Sequence, residues 1–364
     1  MKANKLMKAL AASAMSLALV AGMTAMPAMA TEAAGGVKFT KAINMAAAAD
    51  GTVPSATYSY TVRAGEAKAA TATSPAIKAG LGTPTIANVV FTPKDAVSDS
   101  KVSKDVTVNF SGITFPTAGI YRYVITETNP TVAGLETGDA NTIYLDVYVT
   151  NVAGACAITY YQMSTSDAAP TYAQDNNKTP TYTAKFTEDT DTYTTYTLTV
   201  TKNVEGAMAD MTQKFSIDVD FTGLSEGTKV KVDGVQTADG ASADGALSVN
   251  KSLGDDESIT ITGVPANAVY TVVEQLSSNE AYTVTYKIDG ADSAVDATYA
   301  NTNNGEYTTA NQQDMDANNH TVTVINTKNA VNPTGIILNV APYALMVVIA
   351  LAGVVVFLRK RVED

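Results

Sequence analysis

The sequence predicts an all-β chain of two tandem sandwich-like domains, and three observations carry that prediction. Stretches such as residues 121–127, 143–149, 196–204 and 321–326 place apolar residues two apart, the period of a half-buried strand rather than a helix. Gly, Asn, Asp and Pro cluster between these stretches, as at Asp289-Gly290 after the alternating run 282–288. The third observation is a divergent internal repeat. Residues 37–41 (VKFTK) parallel 198–202 (LTVTK), 119–127 (GIYRYVITE) parallel 268–274 (AVYTVVE), and 183–188 (TAKFTE) parallel 321–326 (TVTVIN). The repeat places a boundary in the Thr-rich connector near 192–195, giving one domain over 31–193 and a second over 194–330, each long enough for its own core.

The segments outside these domains have other tasks. Lys2, Lys5 and Lys8 precede an apolar stretch from Ala9 to about Met23, and Ala28-Met29-Ala30 is a small-x-small cleavage site. Together they predict an export signal over 1–30, cut after Ala30. At the other end the run from Val340 to Leu358 carries no charge and is long enough to span a bilayer. Arg359, Lys360 and Arg361 follow at once and hold that end on the cytoplasmic side, so the body is expected outside the cell. Between the two domains and this run stands Val331-Asn332-Pro333-Thr334-Gly335. The polar stretch 289–320 is expected to include a long surface loop.

Composition narrows the function. The chain has 364 residues, with 36 acidic against 24 basic side chains, one Cys, one His and no Trp. A single Cys forms no intrachain disulfide, and one Cys with one His supplies no zinc cluster. A net charge of −12 disfavours nucleic acid. No phosphate loop, metal-ligand cluster or cofactor motif is present in the sequence, so no cofactor is expected. His320 lacks a plausible serine and acid constellation, and Cys156 sits in an alternating stretch as a small hydrophobe. An enzyme acting on an external substrate is therefore not expected.

The chemistry lies in the strands themselves. Successive side chains on a strand face opposite ways, so Leu198, Val200, Lys202 and Val204 share one face, as do Tyr270, Val272 and Glu274, and Val322, Val324 and Asn326. Each apolar stripe thus carries one polar residue. The first half repeats this with Phe39, Lys41 and Ile43, then Tyr121, Tyr123, Ile125 and Glu127, and by the same parity with Ala184, Phe186 and Glu188, which puts Asp189 on the opposite face. A lone buried Lys or Glu is costly, so three polar residues on three strands suggest either one shared site or strand ends that reach solvent. If they meet, burial favours a neutral amine and a neutral acid. Lys202 then attacks the Asn326 amide, Glu274 passes protons, and ammonia leaves. A buried ion pair is the alternative.

These motifs resemble the Gram-positive backbone pilin family of streptococcal type. The order Pro-Thr-Gly, apolar span and basic tail is similar to a sortase sorting signal, although the commonest form opens with Leu-Pro. The resemblance implies immunoglobulin-like domains with self-formed Lys–Asn isopeptide bonds: Lys202 bonded to Asn326 with Glu274 as catalyst, and Lys41 with Glu127 in the first domain, where Glu188 stands at the position expected for Asn. It implies cleavage by sortase between Thr334 and Gly335, and joining to other pilin subunits or to cell-wall peptidoglycan. Lys178, in Asn177-Lys178-Thr179-Pro180, is the candidate acceptor amine for the next subunit. The competing reading is a wall-anchored adhesin that uses the same domains as a stalk.

Overall fold

The computed structural model describes residues 36–138, 141–172, 180–276, 282–289, 297–300, 305–308, 313–316 and 318–329. The signal cleavage at Ala30, Lys178, the Pro333-Thr334-Gly335 motif and the apolar run from Val340 lie outside the described residues. Within them the regular structure is strand throughout.

The first domain has seven principal strands: β1 (Val37–Asn44), β2 (Ala56–Ala64), β3 (Lys101–Asn109), β4 (Gly119–Thr128), β5 (Thr142–Val152), β6 (Ala155–Ser164) and β7 (Glu188–Tyr193). One sheet runs β3-β1-β7 and is flanked by the short strands Thr85–Ile86 and Leu135–Glu136. The facing sheet runs β6-β5-β4-β2, with Lys185–Phe186 and Val89–Phe91 at its edges. Between them lies a core that includes Phe39, Ile43, Tyr58, Phe91, Tyr123, Ile125, Leu145 and Val147.

The second domain follows after the single residue Thr194. Its strands are β8 (Thr195–Glu205), β9 (Phe215–Thr222), β10 (Leu247–Leu253), β11 (Ser258–Pro265), β12 (Val269–Leu276), β13 (Thr283–Asp289) and β14 (His320–Thr327). One sheet contains β11-β8-β14-β13 and the other β10-β9-β12. A separate core, with Leu198, Val200, Ile217, Val219, Tyr270, Val272, Val322 and Val324, fills the space between them. Strict alternation appears in β9 and β14, where every second residue from Phe215 and from His320 is buried. That is the pattern of strands with one face on a core. Within the polar stretch expected to include a long surface loop, the described residues form the short strands Ala297–Ala300, Gly305–Thr308 and Gln313–Asp314, whose backbone pairs with the edges of β13 and β12.

In both domains the first and last strands are parallel neighbours, β1 with β7 and β8 with β14. Parallel pairing puts the entry of the chain at one end of each domain and its exit at the other. The junction is tied by hydrogen bonds from Thr195 N to Ala47 O (3.1 Å), from Ala266 N to Thr194 O (3.0 Å) and from Lys229 N to Thr52 Oγ1 (3.1 Å), and by the Lys231–Asp50 ion pair at 2.6 Å.

Candidate functional site

Each domain buries one lysine of its first strand among polar residues of its last strand and of the facing sheet. In the second domain Lys202 (β8), Glu274 (β12) and Asn326 (β14) are each 0% exposed. Their placement follows from strand period: each lies in phase with the inward apolar residues of its strand, Leu198 and Val200, Tyr270 and Val272, and Val322 and Val324. The register sets Lys202 beside Val324 and Val204 beside Asn326, so the amide lies two residues further along the neighbouring strand than the lysine. Glu274 reaches them from the other sheet.

The three polar groups form a chain. Asn326 Nδ2 donates to Glu274 Oε1 at 2.8 Å, and Lys202 Nζ stands 3.7 Å from the same oxygen. Lys202 Nζ also donates to the carbonyls of Asn203 (3.0 Å) and Val324 (3.2 Å) and lies 4.7 Å from the centre of the Phe215 ring. Among the described residues nothing donates a hydrogen bond to Asn326 Oδ1. Burial pushes the Lys202 pKa down to about 8, against the opposing pull of the Glu274 charge. One carboxylate oxygen therefore stands between a readily neutralised amine and the nitrogen an amide would lose. That is the reactant arrangement for transamidation, with Glu274 able to move a proton from the amine to the leaving ammonia.

The first domain assembles a different set. Lys41 Nζ on β1 contacts Glu127 Oε1 at 2.8 Å, Asp189 Oδ2 at 2.5 Å and Asp191 Oδ1 at 3.1 Å, and it sits 4.2 Å from the centre of the Tyr58 ring. Asp191 Oδ2 accepts the Tyr58 hydroxyl, and Asp191 Oδ1 accepts Gly138 N at 2.9 Å. Burial acts to lower the Lys41 pKa, but its hydrogen bonds to Asp189 and Glu127 outweigh it and raise the pKa. Burial also pushes the Glu127 carboxyl up, with the Lys41 contact only partly offsetting it.

Two expectations are corrected here. Glu188 does not meet Lys41; it is exposed and paired with Lys101, and that hydrogen bond holds its pKa below the usual carboxylate range. Asp189, expected on the outer face, is 5% exposed and points inward. Both follow from one local event. Residues 185–186 pair with β6 in one sheet, whereas β7 begins at Glu188 in the other. The chain changes sheets at Thr187, so a parity counted from Phe186 is inverted beyond it. The sequence signal for the true face was the spacing of Asp189, Asp191 and Tyr193, three residues two apart that are all buried.

Another site escaped the sequence reading. Arg122 and Asp146, each 1% exposed, pair through Nε to Oδ1 at 2.7 Å and Nη2 to Oδ2 at 2.8 Å. Tyr182 donates to Asp146 Oδ2 at 2.9 Å, and the guanidinium binds the carbonyls of Asp167 and Ala168. This network fastens the segment after β6 to the outer face of the sheet. His320 is buried and structural: Nδ1 meets Tyr270 Oη at 3.0 Å and Nε2 meets Asp316 Oδ1 at 2.9 Å.

Comparison with known proteins gives a consistent picture. Residues 37–187 match the family described as a Spy0128-like isopeptide containing domain, and residues 196–328 match a domain family of unknown function, DUF7601. A protein named pilin from Streptococcus pyogenes serotype M1 is 25% identical over 291 residues, spanning 77% of this chain and 78% of that protein. The crystal structure of the major pilin from Streptococcus pyogenes is similar in fold, with a TM-score of 0.56 at 21% identity, covering 81% of this chain and 99% of that one. The major pilin protein T-13 of the same species gives 0.53 at 21% identity, covering 80% and 97%.

Proposed function

We propose that this chain, which belongs to the Gram-positive backbone pilin family, is a shaft subunit joined to its neighbours by a sortase and stiffened by an isopeptide bond that its second domain forms unaided. The observation that carries the reading is a fully buried amine and amide on parallel first and last strands, gathered on one carboxylate oxygen.

The internal step balances simply. Neutral Lys202 Nζ attacks the Asn326 side-chain carbonyl carbon, and a C–N bond forms. The proton shed by Nζ passes through Glu274 to Nδ2, the old C–N bond breaks, and ammonia leaves. The reaction happens once per chain, without turnover on an external substrate. Its consequence is mechanical. Tension entering at Thr195 runs along β8 to Lys202, crosses to Asn326 and leaves by the end of β14, so the strands between carry no load.

Polymerisation uses the remaining segments. A sortase cuts between Thr334 and Gly335 and passes the Thr334 carboxyl to Lys178 of another subunit or to peptidoglycan. Thr171–Tyr172 and Pro180–Thr181, the short strands on either side of residues 173–179, pair with each other, and Tyr172 N binds Thr73 O at 2.8 Å. In boiled wall extracts of the producing bacterium, an antibody to the chain is expected to reveal a ladder of covalent multimers that Thr334→Ala abolishes. Monomer alone in the unmodified strain would overturn the reading.

A further inference from the structure

Large apolar side chains left exposed are few among the described residues: Val90, Val97, Val152, Met208, Met211 and Val235. Three of them stand at the two extremes of the molecule. Met208 and Met211, 58% and 47% exposed, lie in the loop after β8, where the chain leaves the second domain. Val152, 49% exposed, lies at the tip of the β5–β6 hairpin. That tip is beyond the entry of the first domain. Val37 pairs with Val108, and Phe110 just past it packs on Tyr123 of β4, with ring centres 5.1 Å apart. Four residues back along β4 is Gly119, which pairs with Val149, and the hairpin continues outward from there.

Local structure holds both patches in place. The tip turns at Ala153 and Gly154, with φ of +51° and +90°. Two positive φ values suit Asn-Gly, and a Cβ in that region is crowded. Alanine at 153 thus gives up turn stability and keeps the tip free of polar side chains: residues 152–157 read Val-Ala-Gly-Ala-Cys-Ala. At the other end Met208 N donates to Lys328 O at 3.1 Å, and a Cβ on Gly206 would strike that carbonyl. The methionine loop is therefore pinned against the outgoing chain. Unbranched methionine adapts readily to an irregular partner surface.

We infer that the two patches meet in the polymer: the 206–211 loop of one subunit packs on the 152–155 tip of a second copy, and this apolar contact is the noncovalent half of each joint. The inference rests on the polymer proposed above. Thr334 stands five residues beyond Asn329, and five residues span at most about 17 Å, so a bond at Thr334 brings the receiving subunit up to the methionine loop. The proposed acceptor belongs to the same end as the tip. Tyr182, four residues after Lys178, meets Tyr148 with the two hydroxyls 2.6 Å apart, and Tyr148 is four residues before Val152. Size sets when the contact forms. Three half-exposed side chains and a short tip fall far short of the roughly 1,200 Å² of a stable interface, so free subunits stay apart. A short covalent tether supplies an effective concentration of about millimolar, enough for a contact this small. Each joint then has two attachment points, the amide and the patch, and resists bending.

Paired cysteines test the contact in polymers extracted from the producing bacterium. In a Cys156→Ser background, Val152→Cys is combined with Met208→Cys, and separately Ala155→Cys with Met211→Cys. Polymer and monomer at equal protein concentration are treated with a mild oxidant, digested and analysed by mass spectrometry. At least one pair is expected to give a reducible disulfide between the two peptides in polymer, with about a tenth of that yield or less in monomer. A ladder that forms but yields no disulfide from either pair, or an equal yield in monomer, would overturn the inference alone. No ladder in the unmodified strain would overturn the reading beneath it. Detached pili of the Met208→Asp, Met211→Asp double variant should also bend more. Their persistence length in electron micrographs is expected to fall by roughly twofold or more, because each joint loses one of its two attachment points. An unchanged persistence length would overturn the mechanical role of the patch.

Discussion

Replacing Glu274 with Gln isolates the cross-link from its surroundings. The side chain is fully buried, and Gln keeps its shape and its ability to accept from Asn326 Nδ2, but it can no longer carry a proton from Lys202. The bond should not form, while the packing of the second domain changes little. The Lys202–Asn326 tie closes a loop of roughly 125 residues, which the chain-entropy model values at about 5 kcal/mol. A domain of roughly 130 residues unfolds with an entropy near 0.27 kcal/mol per kelvin, so this loss lowers its midpoint by about 18 °C. The variant also leaves Lys202 without the Glu274 charge that opposes its burial, which adds to the loss. Scanning calorimetry of the full chain should show the second-domain transition move down by that amount and the first-domain transition stay in place. A variant whose peptides remain linked, or an unlinked variant that melts with the parent, would refute the reasoning.

Other outcomes follow from the same geometry. Bond formation in chains folded for the first time, from inclusion bodies shown to be unlinked, should speed up as pH rises towards about 8, because the reactive form of Lys202 is the neutral amine, and level off above it; a rate independent of pH between 6 and 9 would contradict that role. Pulling the second domain by its ends should give no unfolding step, whereas Glu274→Gln should release roughly 125 residues, about 400 Å of contour, in single-molecule force measurements. Glu188→Gln removes only a surface pair, so stability should change by less than about 0.5 kcal/mol and the linked peptides should persist. Lys178→Ala should abolish the multimer ladder while wall-linked monomer remains; an intact ladder would place the acceptor amine elsewhere.

The second domain was legible in the sequence because its three polar residues stay in phase with the buried residues two before them on their own strands. Lys202 and Asn326 sit in strands whose burial alternates around them, and Glu274 keeps the phase of Tyr270 and Val272 although Val273 is also buried, so parity counted along the chain predicts the shared face. The first domain was legible at Lys41 and Glu127 because Lys41 keeps the phase of Phe39 and Glu127 that of Tyr123 and Ile125, although β4 buries every residue from Ile120 to Ile125. It failed at its last strand, where the change of sheet at Thr187 shifts the face and replaces Glu188 by Asp189 and Asp191. Parity is a property of one continuous strand, and no residue at 186–188 marks the crossing. The Arg122–Asp146 pair was hidden for another reason. It lies on the outer face of its sheet and is buried only because the segment after β6 folds back over it, a long-range contact that no local pattern encodes.

The central claim is that the second domain ties its own first and last strands together. The most direct measurement is the mass of the proteolytic peptides that contain Lys202 and Asn326, taken from the full chain without added enzyme or cofactor. A single linked species, lighter than the two peptides by one ammonia and absent from Glu274→Gln, is the predicted result. Two separate peptides with an unmodified lysine and an unmodified asparagine would contradict the account.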